Sequence, residues 1–480
     1  MPARGQKHIL RTLREVRSAY SSASWNEQSH LRVEHEESDN VLKEIKTALQ
    51  TYGKLNDTEK PLVISGLLLS MRNKGFDVSQ LRGKDDPTDG QIIYSLLESP
   101  SERLLFIQSR PTLNQIVPRI GKTPLRILAE MLTEEIHDDV LSELYGGDYS
   151  RSGDDTGIVL TPPHICELCC ELLKLKAGDV LLEPCCGTGR FLVTAMKYVG
   201  DKVYGVEVQD DLHAISSANV ILHGGVESKV AHGDFFTEDF SGVKFTAGYM
   251  NPPYSQKTTE LQFTERLLSL LCVGARAAVI VPVSVMIGKT RSDKQVKGEL
   301  LKHHRLEGVI TLNKDTFYGV GTVPCIAIFT AGKPPPPEYE AKFVNFENDG
   351  YEVKKHIGLV ETDAAKSLKE YLLDSWRGKR TDYRTSFMVK SMVEASDEWL
   401  HSFYYYNDDP PTDEKFESSI TDYLTFEANM IFHGRGYLFE GGETNADRTD
   451  QDTERRGRGA TESGQAVEEA PQQYRIVYDV

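Results

Sequence analysis

The sequence predicts an α/β protein, a doubly wound sheet preceded by an α-helical domain, and three observations carry that expectation. Short apolar strands alternate with amphipathic helices from about residue 151 to 333, the pattern of a mostly parallel sheet with helices on both faces. A glycine-rich turn, Gly187-Thr188-Gly189, follows one of those strands and opens a helix. Before residue 150 β-branched runs are scarce and apolar residues recur at helical spacing.

Taken in order, residues 1–40 are polar, mixed in charge and without a sustained period, so a mobile N-terminus is expected. Residues 41–150 carry helix-spaced apolar segments at Val41–Ile45, Pro61–Ser70 and Ile127–Leu132, which predict a helical domain. The α/β region offers strands at Val180–Leu182, Lys202–Val208, Lys229–Ala231, Phe245–Met250, Ala277–Pro282, Leu306–Leu312 and Pro324–Phe329. The last two lie close together, and a turn at Tyr318–Gly321 predicts an antiparallel hairpin at one sheet edge. Pro334–Pro337 breaks the pattern, so residues 338–435 read as a separate small mixed region. Residues 441–480 are rich in Gly, Asp, Glu, Arg, Thr and Gln and predict a disordered tail.

Bulk composition narrows the class. With 480 residues the chain can hold two or three domains, and 39% hydrophobic with 26% charged residues fits a globular fold. No apolar run reaches the roughly 18–20 residues of a membrane span and the N-terminus has no signal-peptide core, so a cytoplasmic protein is expected. Seven cysteines, mostly clustered between Cys166 and Cys186, argue against a disulfide framework. The net charge of −17 is unfavourable for contact with phosphates. A nucleic-acid partner would require locally concentrated basic residues or a second protein.

The glycine turn lets backbone approach a ligand, because Gly187 and Gly189 have no side chain in the way. Glu207 ends the next strand about 20 residues further on, where an acid can take both hydroxyls of a ribose. Asp234 and Phe235 end the third strand: the carboxylate can accept from an adenine amino group and the ring can pack on the base, or they are a capping Asp and a core Phe. A nicotinamide dinucleotide fits less well, since the third glycine is missing and no hydride-transfer site follows.

Asn251-Pro252-Pro253-Tyr254 follows the Phe245–Met250 strand. An exocyclic amine on an aromatic ring is a poor nucleophile because its lone pair is delocalised. The Asn251 side-chain oxygen and the Pro252 carbonyl, aimed by a fixed proline φ, can hold its two hydrogens. Tyr254 supplies a face for stacking, and the amine then attacks a methyl carbon by positioning and electrostatics alone. Together the two halves point to S-adenosylmethionine-dependent N-methylation, with adenine flipped out of double-stranded DNA as the first acceptor to consider.

These residues resemble the modification (M) subunits of type I restriction-modification systems, the N6-adenine DNA methylases, from about Tyr145 to Phe432. Glu183-Pro184-Cys185-Cys186-Gly187-Thr188-Gly189 stands where the family has Asp-Pro-Ala-Cys-Gly-Thr-Gly, and Asn251–Tyr254 is its catalytic motif. Ala277–Pro282 and Leu306–Ile310 resemble its later strands, and Asp349–Tyr351 and Asp397–Leu400 occur in one branch. The resemblance implies a class I methyltransferase fold in the gamma order of motifs. It also implies that Thr161, Pro162 and Glu183 lie near the methionine end of the cofactor. Expected partners are DNA, a specificity subunit and, as a further candidate, a restriction subunit. Glu183 for Asp and Arg190 for Gly are departures from the pattern. The tetrapeptide also suits N-methylation of RNA adenine or protein glutamine, and a non-catalytic cofactor-binding assembly subunit is a further alternative.

Two other signals remain. Cys166 and Cys169 share a helix face with apolar neighbours, so buried thiols are expected and no metal. Lys289, Arg291, Lys294, Lys297 and Arg305, with Lys302, His303 and His304 among them, form a basic stretch, either DNA-phosphate contacts or a solvated helix face.

Overall fold

The computed structural model describes residues 59–72, 160–224, 229–254, 259–317, 321–354, 358–406 and 412–432. The chain divides into two units, Met1–Tyr406 and Asn407–Val480.

The first unit is built on a nine-stranded sheet of order β11-β8-β6-β7-β5-β4-β1-β2-β3. Its strands are β1 (Leu181–Pro184), β2 (Val203–Glu207), β3 (Val230–His232), β4 (Phe245–Met250), β5 (Leu271–Pro282), β6 (Arg305–Leu312), β7 (Pro324–Thr330), β8 (Ala341–Phe346) and β11 (Met388–Ser391). A separate antiparallel pair, β9 (Tyr351–Lys354) and β10 (Gly358–Glu361), stands beside it. From β3 through β5 all pairings are parallel, and order reverses between β1 and β4, which are direct neighbours. That reversal opens a crevice at the carboxyl ends of β1 and β4, the usual ligand position in such sheets.

β5 is apolar without interruption at its carboxyl end because both faces are covered. Ala278 and Ile280 enter one core, while Val279 and Val281 enter the other. The first core is closed by α2 (Pro163–Leu172), α3 (Arg190–Val199) and α8 (Ala365–Trp376), through residues such as Ile165, Phe191 and Leu372. The second is closed by α5 (Glu260–Leu270) and α7 (Arg291–His303), through Leu261, Leu267 and Leu300, with Trp399 fully buried among them. Each such aliphatic side chain contributes about 1.5–3 kcal/mol on burial. The remaining described helices are α1 (Glu59–Arg72), α4 (Asp210–Leu222), α6 (Val283–Ile287), α9 (His401–Tyr404) and, in the second unit, α10 (Asp413–Phe432).

Two expectations change here. β6 and β7 are antiparallel, as the sequence predicts, but not at an edge: β7 is inserted between β5 and β6. The sheet then continues through β8, parallel to β6, and β11. Gly308 permits this, because a Cβ there would overlap the Lys342 carbonyl of β8. Consequently residues 338–406 extend the sheet instead of starting a separate region, and the break falls near Tyr406. Of the helical domain expected over 41–150 only α1 is described, with Leu62, Val63, Ile64 and Leu67 fully buried and the helix packed on α4. The expected N-terminus 1–40 and tail 441–480 lie outside the described residues.

Candidate active site

The loop after β1 is shaped by backbone that most residues avoid. Cys185, Gly187 and Gly189 all have positive φ, at 62°, 56° and 79°. At Gly189 space is limiting as well: a Cβ would sit 3.1 Å from Ser216 of α4. Gly187 meets nothing within 4 Å, so conformation alone selects glycine there. Asn219 of α4 donates to the Thr188 carbonyl at 3.2 Å, closing the loop from behind.

Glu207, at the end of β2, clamps this loop. Its Oε2 accepts from Gly187 N at 2.9 Å, and its Oε1 accepts from Val208 N and Gln209 N, each at 2.9 Å. Burial pushes its pKa up, and these three N–H groups oppose that. Glu183 is more deeply placed, at 4% exposure, and its Oε2 has no hydrogen-bond partner. Burial holds its carboxyl well above the usual range; the Leu192 N–H pulls it down and the Glu207 charge pushes it up. An orphaned carboxyl oxygen beside a glycine loop fits a ligand that brings an ammonium or sulfonium charge, as S-adenosylmethionine does.

At the end of β4 the Asn251 amide is held from both sides. Its Nδ2 donates to Thr161 Oγ1 at 3.2 Å, and its Oδ1 accepts from Tyr254 Oη at 3.0 Å. Pro252 is buried, while Asn251, Pro253 and Tyr254 are half-buried. Burial raises the Tyr254 pKa, keeping the phenol protonated. Pro162 caps α2 in extended conformation, which sets Thr161 facing β4. Arg190, where the family pattern has Gly, donates to the Thr161 carbonyl at 3.4 Å.

Sequence reasoning passed over Tyr249. It is fully buried, stacked on Phe191 at 3.4 Å between ring centroids, and its hydroxyl lies 3.1 Å from Thr161 Oγ1. Its signal was legible: residues i and i+2 of a strand face the same side, so a tyrosine two before Asn251 points toward the same surroundings.

The structure thus brings Thr161, Pro162, Glu183, Gly187, Thr188, Gly189, Glu207 and Asn251–Tyr254 to one end of the sheet. Asp234 is exposed at the end of β3, where its Oδ1 accepts from Phe236 N at 2.9 Å. For Phe235, read from sequence either as a ring against the base or as a core residue, the structure gives the second environment. It is 3% exposed and packs with Phe240 and Phe263, so the core has taken it. Phe236 is the exposed ring of the pair.

The basic stretch divides. Lys297 is fully buried and donates to the carbonyls of Met286, Ile287 and Asp397, with its charge 4.8 Å over the Trp399 ring. It cannot reach a phosphate. Arg305 is paired to Glu307 at 2.7 Å, and Lys302 and His303 lie against Glu299. His304 is buried. Lys289, Arg291 and Lys294 are exposed, with no ion pair among the described residues. Cys166, Cys169 and Cys170 are buried thiols on α2 whose pKa burial raises, and no group of metal ligands occurs among the described residues. No described helix is long and apolar enough to cross a membrane.

A glycine loop after β1, an acid after β2 and Asn-Pro-Pro-Tyr after β4 of a doubly wound sheet define a class I methyltransferase. Residues 137–412 match the N-6 DNA Methylase family, and the chain belongs to it. It is 39% identical over 449 residues to the type II restriction enzyme and methyltransferase RM.BcgI of Heyndrickxia coagulans, covering 83% of this chain and 70% of that one. It is 23% identical to the EcoEI type I methylase subunit of Escherichia coli, over 49% of this chain and 54% of the relative. The chain therefore spans only part of the length of these relatives. Among solved structures, a chain from a type I restriction-modification assembly superposes with a TM-score of 0.55 at 16% identity, over 84% of this chain and 99% of that one. The type I methyltransferase subunit of Streptococcus thermophilus gives 0.52 at 18%, over 69% and 76%. At such identities these structures support the fold.

Proposed function

We propose that this chain transfers methyl from S-adenosylmethionine to N6 of adenine in DNA, as the modification component of a restriction-modification system. The observation that carries this reading is the placement of Asn251 beside the glycine loop, with its amide oxygen on the side away from Thr161. Bound S-adenosylmethionine supplies an electrophilic methyl on sulfonium. The Gly187–Gly189 loop and Glu207 would hold its nucleoside part, Asp234 its adenine edge, and Thr161, Pro162 and Glu183 its methionine end.

The residues on the acceptor side do the rest. The target base must leave the duplex to reach them. Asn251 Oδ1 and the Pro252 carbonyl take the two amine hydrogens and draw density toward the nitrogen. The Tyr254 ring stacks on the base, releasing Oδ1 as it does so. The N6 proton is lost to solvent after transfer. Lys289, Arg291 and Lys294 would meet DNA phosphates, and the acidic balance of the chain favours a separate specificity subunit that contributes further contacts.

The test is methyl incorporation by the chain, alone and with candidate specificity partners, into DNA, RNA and protein acceptors. DNA is expected to be labelled at N6 of adenine in one motif. Asn251→Ala should lower transfer at least about 100-fold while cofactor affinity holds. Near-normal turnover by that variant would falsify the reading, and labelling of RNA or protein alone would replace it with the corresponding acceptor.

A further inference from the structure

Thr161 touches both halves of the proposed site, Asn251 through its hydroxyl and Arg190 of the glycine-loop helix through its carbonyl, and what it does there rests on the reading of Asn251 given above. A side-chain amide can present either its oxygen or its NH2 group to a substrate, and only the oxygen can accept from an adenine amine. The two orientations differ little in shape, so something must choose between them. Tyr254 cannot be that group, because its hydroxyl bonds the very oxygen the substrate needs, at 3.0 Å. The selection must come from behind the amide.

We propose that Thr161 is the positioning residue for Asn251 and that buried Tyr249 sets its polarity. Thr161 Oγ1 lies 3.1 Å from Tyr249 Oη and 3.2 Å from Asn251 Nδ2. Tyr249 is fully buried, clamped on Phe191 with the rings 13° from parallel, so its hydroxyl cannot turn to water. In this arrangement Thr161 gives its proton to Tyr249 Oη, one of the two senses that the 3.1 Å contact allows, which leaves the lone pairs of Oγ1 facing Asn251 to accept. The amide must then offer its NH2 to Thr161 and its oxygen to the substrate side. The Thr161 backbone is itself restrained. Pro162 follows it, and the Thr161 carbonyl accepts from Arg190, the first residue of the helix that opens at the glycine loop. A cofactor that settles this loop thereby steadies the group that orients Asn251.

The test uses the full chain, with whatever partner wild-type DNA methylation requires. Single-turnover methyl transfer and S-adenosylmethionine affinity are measured for Thr161→Val, Thr161→Ser, Tyr249→Phe and Asn251→Ala, with thermal melts of each. Thr161→Val keeps the shape and removes the hydroxyl. At saturating S-adenosylmethionine it is expected to slow single-turnover transfer about tenfold, the rate equivalent of about 1.4 kcal/mol, over and above any loss of cofactor affinity. Thr161→Ser should restore most of the rate. Tyr249→Phe should fall between, although it would touch neither substrate nor cofactor. Combining Thr161→Val with Asn251→Ala should cost nothing beyond Asn251→Ala alone.

Wild-type transfer by Thr161→Val, a loss confined to cofactor affinity, or no rescue by Ser would overturn the proposal. If Thr161→Val does not fold, the Ser and Tyr249→Phe variants decide: a wild-type rate in Tyr249→Phe removes the polarity argument. Activity in Asn251→Ala would instead sink the functional reading itself, which separates the two failures.

Discussion

The Gly187 amide and the Glu207 carboxylate meet at 2.9 Å, so the glycine loop after β1 is tied to the end of β2 before any ligand arrives. Because Oε1 of Glu207 already accepts twice, only Oε2 keeps a lone pair for a ribose hydroxyl. Glu207→Gln places an NH2 where one of these backbone donors needs an acceptor. Cofactor affinity is expected to fall about 10–100-fold, in line with losing a hydrogen bond to a charged group. Calorimetric titration with S-adenosylmethionine checks this, and unchanged affinity would take Glu207 out of the cofactor site.

Glu183 makes a pH-dependent prediction. Burial raises its folded pKa above the ordinary value of 4.5, so the folded state holds the proton more tightly than the unfolded chain. Its contribution to stability is then fully present below about pH 4.5 and is lost as pH rises through the folded value. In Glu183→Gln that loss is absent, and at pH 7.5 the ligand-free variant should melt above wild type. Saturating S-adenosylmethionine should close or reverse the gap, since its cationic end favours the ionised carboxyl. Parallel melting curves at all pH values, with no effect of ligand, would show that Glu183 does not titrate in the site.

Tyr254 separates ring from hydroxyl. Its Oη donates to the Asn251 oxygen, and the proposed reaction requires an incoming base to displace it. Tyr254→Phe should therefore transfer methyl within about threefold of wild type, whereas Tyr254→Ala should lose about 10–100-fold, the scale of one base–aromatic stack. Equal losses in the two variants would mean that the hydroxyl, and not the ring, is what the reaction uses.

The buried and the exposed basic residues on and beside α7 should behave oppositely. Lys297→Met strands the carbonyls of Met286, Ile287 and Asp397 and is expected to cost about 3 kcal/mol of stability. It should leave the salt dependence of DNA binding unchanged. Lys289→Ala, Arg291→Ala or Lys294→Ala should do the reverse: little change in melting, weaker binding, and a salt slope smaller by about one for each phosphate no longer neutralised. Filter binding over a range of salt concentrations distinguishes them.

The strands from Val180 to Phe329 were legible because apolar runs of four to eight residues between turn signals have few other uses. The glycine loop and Asn-Pro-Pro-Tyr were legible because backbone conformation and chemistry restrict those positions to a few residue types. Lys297 was not, since a lysine in a charged helix gives no sign that three carbonyls wait behind it. Phe235 beside Phe236 was equally ambiguous: local pattern cannot say which of two adjacent rings the core will take.

Sequence alone determined the sheet-and-helix alternation, the order of the cofactor and acceptor motifs, and the chemistry each can support, because those depend on local geometry and residue type. Tertiary structure decided the insertion of β7 between β5 and β6, the continuation of the sheet into β8 and β11, and the meeting of Thr161, Tyr249 and Asn251. Those hydrogen bonds join residues about 90 positions apart, at 161 and 249–251, a separation over which no local sequence pattern specifies a contact.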